Sequence, residues 1–120
     1  MPMIAIIDDD ELVRQATRSL LRSLGHHVAT FATAEEFLNS DQLQETSCVI
    51  TDVQMPGMSG IELLACLKAD GHRFPVMVIT AFPDDGVRDR AMQHGASGFL
   101  TKPFSQVSLI DCLDRALKAG

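Results

Sequence analysis

Basic residues are what this chain has too few of. Its 120 residues carry 10 Lys and Arg against 16 Asp and Glu, a formal charge of −6. Neutralising a phosphate backbone takes surplus Lys and Arg, so the balance argues against a non-specific nucleic-acid binder. There is no run of about 18 apolar residues, and no membrane-spanning helix is expected. No basic–apolar–small pattern opens the chain, so a cytoplasmic location is expected rather than secretion. Cys48, Cys66 and Cys112 form no CxxC, and His26, His27, His72 and His94 form no HxxxH pair. A zinc site is therefore excluded, and the thiols read as small core residues in a reducing compartment. Neither GxGxxG nor GxxxxGK(S/T) occurs, which removes the common phosphate-cradling loops. Low-complexity stretches, repeats and linkers are missing as well. At 46% hydrophobic, the composition is too apolar for disorder. The length suits one domain with one core.

What is present is alternation. Short apolar runs lie at residues 3–7, 28–31, 48–50, 76–79 and 98–101. Continuous apolar runs, without strict alternation, predict strands buried on both faces. The intervening segments read as helices. Residues 10–24 carry Val13, Ala16, Leu20 and Leu24 at helical spacing, with Gly25 as a stop. Thr33 with Glu36, and Ser59 with Glu62, have the spacing of capping boxes. The second would open a helix that buries Ile61, Leu64 and Leu67. Residues 84–94 form a weaker helix, with Gly86 near its start and Gly95 at its end. Ser105 is placed to cap a last helix with the stripe Leu109, Leu113, Ala116 and Leu117. Phe31 and Phe37 read as core. Five strands alternating with five helices predict an α/β fold: a flavodoxin-like (βα)5 three-layer sandwich on a parallel sheet of order 2-1-3-4-5.

Chemistry collects where strands end. Asp8, Asp9 and Asp10 follow strand 1, Asp52 follows strand 3 after Thr51, Thr80 ends strand 4, and Lys102-Pro103 follows strand 5. Strand 2 ends with neither acid nor Lys. Ligands of open α/β sheets bind outside the carboxyl ends of strands at the switch point, here between strands 1 and 3. Asp10 and Glu11 suit a helix start, where acids favour the dipole. Asp8 and Asp9 have Asp52 beside them. Three close carboxylates repel unless neutralised, and a hard divalent cation, Mg2+ with Mn2+ as a substitute, is the natural remedy. In the shaped loop of residues 53–60, Asp52 itself is open to three roles: metal ligand, general base or nucleophile. Lys102 supplies a positive charge and Thr80 a hydroxyl donor.

The motifs IIDDD, VITDVQMPGMSGIEL, VMVITAF and GFLTKPF, in this order and at this spacing, resemble the receiver domain of two-component response regulators. The resemblance covers essentially the whole chain, and its wording is similar to the FixJ-type branch of transcriptional regulators. It implies that Asp52 is the phosphoacceptor, taking a phosphoryl group from a sensor histidine kinase. It implies that Asp8, Asp9, Asp52 and the backbone carbonyl of Gln54 hold Mg2+. It gives Lys102 to the acyl phosphate, Thr80 and Phe99 to a switch, and Pro103 to a cis peptide after Lys102. Gln54 and Phe82 fall at positions that tune how long the phosphoryl group lasts. Phe82, bulky and apolar, is expected to screen the attacking water.

The same resemblance implies a phosphoacceptor domain over residues 1–120 that assists its own phosphorylation and dephosphorylation without being an enzyme. A phosphorylation-dependent homodimer through helix 4, strand 5 and helix 5 follows, with DNA reached only through an output domain beyond residue 120. A single-domain regulator acting by protein contact is the alternative. Arg14, Arg18 and Arg22 form a row on helix 1 that is either a solvated face or a kinase contact. A haloacid-dehalogenase-type phosphatase would want an acid two residues after its nucleophile; Asp52 has Gln54 there, whereas Asp8 has Asp10, but 120 residues are too few for that family's usual cap and loops. A flavin- or nucleotide-binding module would want the glycine loops that are missing.

Overall fold

Every residue of β3 (Cys48–Asp52) and of β4 (Val76–Thr80) is buried. Such strands must be covered on both faces, and in this protein they are. The computed structural model describes residues 3–119. In chain order β1 (Met3–Ile7), α1 (Glu11–Ser23), β2 (His27–Phe31), α2 (Ala34–Leu38), β3, α3 (Gly60–Ala69), β4, α4 (Asp85–Gln93), β5 (Gly98–Thr101) and α5 (Gln106–Ala119) alternate. A 3₁₀ turn over Asp41–Glu45 lies between α2 and β3 and was not expected from the sequence. All neighbouring strands are parallel, in the order β2-β1-β3-β4-β5, as expected.

The two-residue period of the strands splits the interior into two cores. Ala5, Ile7, Val49, Val76 and Val78 face α2, α3 and α4, where Phe37, Ile61, Leu63, Leu64 and Leu67 meet them. Ile4, Ile6, Ile50, Met77 and Ile79 face α1 and α5, against Leu21, Leu109, Leu113 and Ala116. Phe31 packs edge-on against Phe37 at 5.3 Å between ring centroids. Cys48 and Cys112 are buried and Cys66 is half-buried; all three thiols are free. Burial pushes the Cys48 thiol up to about 12.

Local rules account for the helix ends. Asp10 Oδ1 accepts from the amides of Leu12 and Val13 and starts α1. Ser59 and Glu62 form the full reciprocal box at α3. At α2 only half of the expected box forms: Thr33 accepts from Glu36 N–H, while Glu36 Oε2 turns to Ala32 N–H at 3.2 Å. Ser105 Oγ accepts from Ser108 N–H at 3.0 Å at the head of α5.

The α1 stripe needs correction. Thr17 and Leu21 are its buried residues, Leu20 packs at the edge, and Ala16 and Leu24 are exposed. The buried line runs through a threonine, which an apolar pattern does not score. Among the described residues no helix is long and apolar enough to cross a membrane.

Candidate functional site

Sheet order places the candidate residues together. β1 and β3 are hydrogen-bonded neighbours, with Ile7 opposite Thr51, so the residues that follow them, Asp8 and Asp52, reach one edge. Asp8 is 3% exposed and Asp52 6%. Asp9 is exposed beside them, and one carboxylate oxygen from each of the three lies within 4.8 Å of the others. Asp10, by contrast, is committed to the α1 cap. Asp8 Oδ1 also accepts from Asp10 N–H at 2.9 Å, which ties the site to the helix start.

Lys102 comes from the other side of the switch point. Thr80 pairs with Thr101, and Lys102 N–H donates to the Thr80 carbonyl at 2.8 Å. The Lys102–Pro103 peptide is cis. The ammonium then lies between two acids, 2.9 Å from Asp8 Oδ2 and 3.0 Å from Asp52 Oδ2. Asp52 Oδ1 is buried and has no hydrogen-bond partner.

Electrostatics follows from this packing. Burial raises the Asp52 carboxyl above its ordinary value, with Asp8 adding repulsion. The Lys102 hydrogen bond and charge, and the nearby Gln54 backbone amide, oppose it without cancelling it. Burial pulls the Lys102 ammonium down, but its bonds to Asp8 and Asp52 outweigh that and leave it above the ordinary lysine value. One cation therefore bridges two buried anions, and an unsatisfied carboxylate oxygen remains. This donor set, all carboxylate oxygen with one oxygen unpartnered, suits a hard divalent cation.

Thr80 is fully buried. Its hydroxyl donates to Gln54 Oε1 at 2.9 Å and accepts from Phe82 N–H at 3.0 Å. Phe99 lies opposite Val78, half-buried against the α2–α3–α4 core. It also lines an open hollow of about 790 Å³ between α4, β5 and α5. The Phe82 side chain is 71% exposed, so its ring lies in solvent above the site edge. Gln54 is exposed at the start of the 53–59 loop.

Three contacts were not legible in the sequence. Arg14, read as one of an arginine row, sends Nη1 to the Asp8 carbonyl at 2.7 Å. Glu35, outside either capping box, sends Oε2 to Met58 N–H at 3.1 Å and so holds the 53–59 loop. Gln54 holds Thr80 through its side chain. The last two link residues 23 and 26 positions apart, and no local pattern signals such pairs.

The response regulator receiver domain model matches residues 4–114. The response regulator protein TodT of Pseudomonas putida is 39% identical over 116 residues, 97% of this chain and 51% of that protein. The transcriptional regulatory protein FixJ of Bradyrhizobium diazoefficiens is 38% identical over 115 residues, 96% of this chain and 56% of that protein. The chain spans about half the length of these curated relatives. Among solved structures, response regulator StyR superposes with a TM-score of 0.90 at 42% identity, covering 98% of this chain and 60% of that one. The Vibrio cholerae chemotaxis protein CheY4 does so with 0.90 at 28%, covering 98% and 99%. With the family match running from β1 into α5, and the acids and the lysine gathered at one sheet edge, the chain belongs to the response regulator receiver domain family of two-component signalling.

Proposed function

We propose that the chain is the phosphorylation-activated switch of a two-component phosphorelay, with Asp52 as its phosphoacceptor. The observation that supports this best is the Asp52 carboxylate. Oδ2 is held by Lys102, while Oδ1 is buried without a partner, a costly state that a ligand relieves. In the proposed reaction a carboxylate oxygen of Asp52 attacks the phosphorus of a phosphohistidine on a sensor histidine kinase. The O–P bond forms as the P–N bond breaks, and the imidazole leaves with the electron pair. Lys102, 3.0 Å from Asp52 Oδ2, would offset the charge on the phosphoryl oxygens. Asp8, Asp9, Asp52 and the Gln54 backbone carbonyl would hold Mg2+ or Mn2+; when bound, the ion neutralises phosphoryl oxygen charge. The domain assists its own phosphorylation and dephosphorylation and is otherwise a signalling module.

Phosphorylation adds charge and acceptor oxygens beside Thr80. Thr80 moves toward them, Phe99 turns into the space it leaves, and the α4–β5–α5 face changes. That face then pairs with a second copy. Residues 1–120 form the phosphoacceptor unit, and an output domain beyond residue 120 contacts DNA. The names and the greater length of the transcriptional relatives support this output over action by protein contact alone. The reading carries a cytoplasmic location with it.

Incubation with Mg2+ and acetyl phosphate, followed by intact-mass and peptide analysis, tests the proposal. One phosphoryl group on Asp52, absent from Asp52→Ala, is expected. Label on another residue, or continued turnover of a phosphomonoester, would overturn it.

A further inference from the structure

We infer that the Gln54 side chain is a latch on Thr80: it occupies the hydroxyl in the unphosphorylated protein and competes with the phosphoryl group for it. The inference rests on the reading that Thr80 donates to a phosphoryl oxygen on Asp52, and it adds what that donation must displace.

A threonine hydroxyl has one proton to give. In this structure that proton is committed. Phe82 N–H already donates to Thr80 Oγ1 at 3.0 Å, so the hydroxyl serves Gln54 as the donor, at 2.9 Å to Oε1. Thr80 is fully buried, and water does not offer its hydroxyl a ready substitute. To donate to a new acceptor on Asp52, Thr80 has to release Gln54. The two acceptors are therefore mutually exclusive.

Three features make this a latch and not a packing accident. The bond spans 26 residues and joins the loop after β3 to the end of β4, the two segments that flank the phosphoacceptor edge. Gln54 stands two residues after Asp52 in the chain, so one residue adjoins the acceptor and holds the switch. The Gln54 side chain is exposed and regains water once released. Release is thus inexpensive, which is what a reversible switch needs. The amide of Phe82 shares the same hydroxyl, so movement of Thr80 also frees the first residues of the β4–α4 loop.

Beryllofluoride with Mg2+, a phosphoryl mimic, gives the test. Its affinity is measured by fluorine NMR for the wild type, Gln54→Ala, Thr80→Val and the double variant. Gln54→Ala removes the competing acceptor and should tighten binding about 2- to 10-fold, the range of one neutral hydrogen bond. Thr80→Val should weaken binding. In the Thr80→Val background Gln54→Ala should change nothing, because there is no hydroxyl to release. If Thr80→Val binds like the wild type, the Thr80–phosphoryl reading falls and the latch with it. If Thr80→Val weakens binding but Gln54→Ala is neutral, weakens it, or tightens it equally in both backgrounds, the reading survives and the latch is wrong. A readout without the mimic accompanies this: in the free protein, Gln54→Ala should raise the exchange rate of the Phe82 amide hydrogen, because the hydroxyl it donates to is no longer held. Unchanged exchange would also count against the latch.

Discussion

Asp8, Asp9 and Asp10 are chemically identical and adjacent, yet they do three different things. Asp8 is buried against Lys102, Asp9 stays in solvent at the rim, and Asp10 caps α1. The strand ends at Ile7 and the helix begins at Glu11, so the backbone turns between them and aims each carboxylate differently. The proposed role of Phe82 also belongs at this scale. Its ring is exposed, while its own N–H holds Thr80. A ring in solvent at the site edge screens water only when the loop folds over the phosphoryl group. Phe82→Ala should then shorten the half-life of phosphorylated Asp52 several-fold, while the initial rate of labelling stays near that of the wild type. A half-life equal to the wild type's, followed after the donor is removed, would end that idea.

At the scale of elements, the loop after β3 is shaped by its neighbours. Gly60 starts α3 so close to the Asp52 carbonyl that any Cβ there would collide with it. Gly57 turns with φ of 75°, and a Cβ on it would meet Glu35 Oε2 at 2.5 Å. Glu35, in the first turn of α2, accepts from Met58 N–H. The loop that carries Gln54 is thus pinned by α2, an element that supplies no site residue. Glu35→Ala should lower stability by about 0.5–1.5 kcal/mol in urea titrations. It should also weaken Mg2+ binding several-fold, because the Gln54 carbonyl is no longer held in place. Glu35→Gln keeps an acceptor and should recover most of both. Equal loss in the two variants would mean that charge, not the hydrogen bond, holds the loop.

For the whole molecule, one sheet serves two cores. The α2–α3–α4 cluster and the α1–α5 cluster are separate cores on opposite faces of the strands between them. Because the strands alternate faces, loss of either layer bares half of every central strand. The two cores should therefore unfold together. Leu64→Ala and Leu113→Ala, one in each layer, should each cost about 2–5 kcal/mol, a large share of the roughly 5–15 kcal/mol that holds a domain. Each should lower the midpoint of a single urea transition that far-UV and near-UV circular dichroism report alike. Two separated transitions in either variant would show that the layers are independent. The same architecture divides the charge. Asp8, Asp9 and Asp52 against Lys102 place −2 of the net −6 at one sheet edge, leaving −4 for the rest of the chain.

Strand order, the three-layer sandwich and the gathering of Asp8, Asp9, Asp52, Thr80 and Lys102 at one edge were all legible in the chain. Buried parallel strands write themselves as continuous apolar runs, and the residue that ends each strand is adjacent to it in sequence. The helix start at Asp10 and the box at Ser59 were legible because both are local to a few residues, though the cap that Asp10 makes was not foreseen. Tertiary structure alone decided which face of α1 is buried, because Thr17 lies on that face and packing does not consult polarity scales. It alone decided that Glu36 reaches Ala32 and that a 3₁₀ turn precedes β3. Above all, it alone placed Glu35 on Met58, Arg14 on the Asp8 carbonyl and Gln54 on Thr80. Each of these is a single hydrogen bond between polar groups that the fold brings together. A hydrogen bond of this kind depends on direction and on a few tenths of an ångström, and periodicity carries neither.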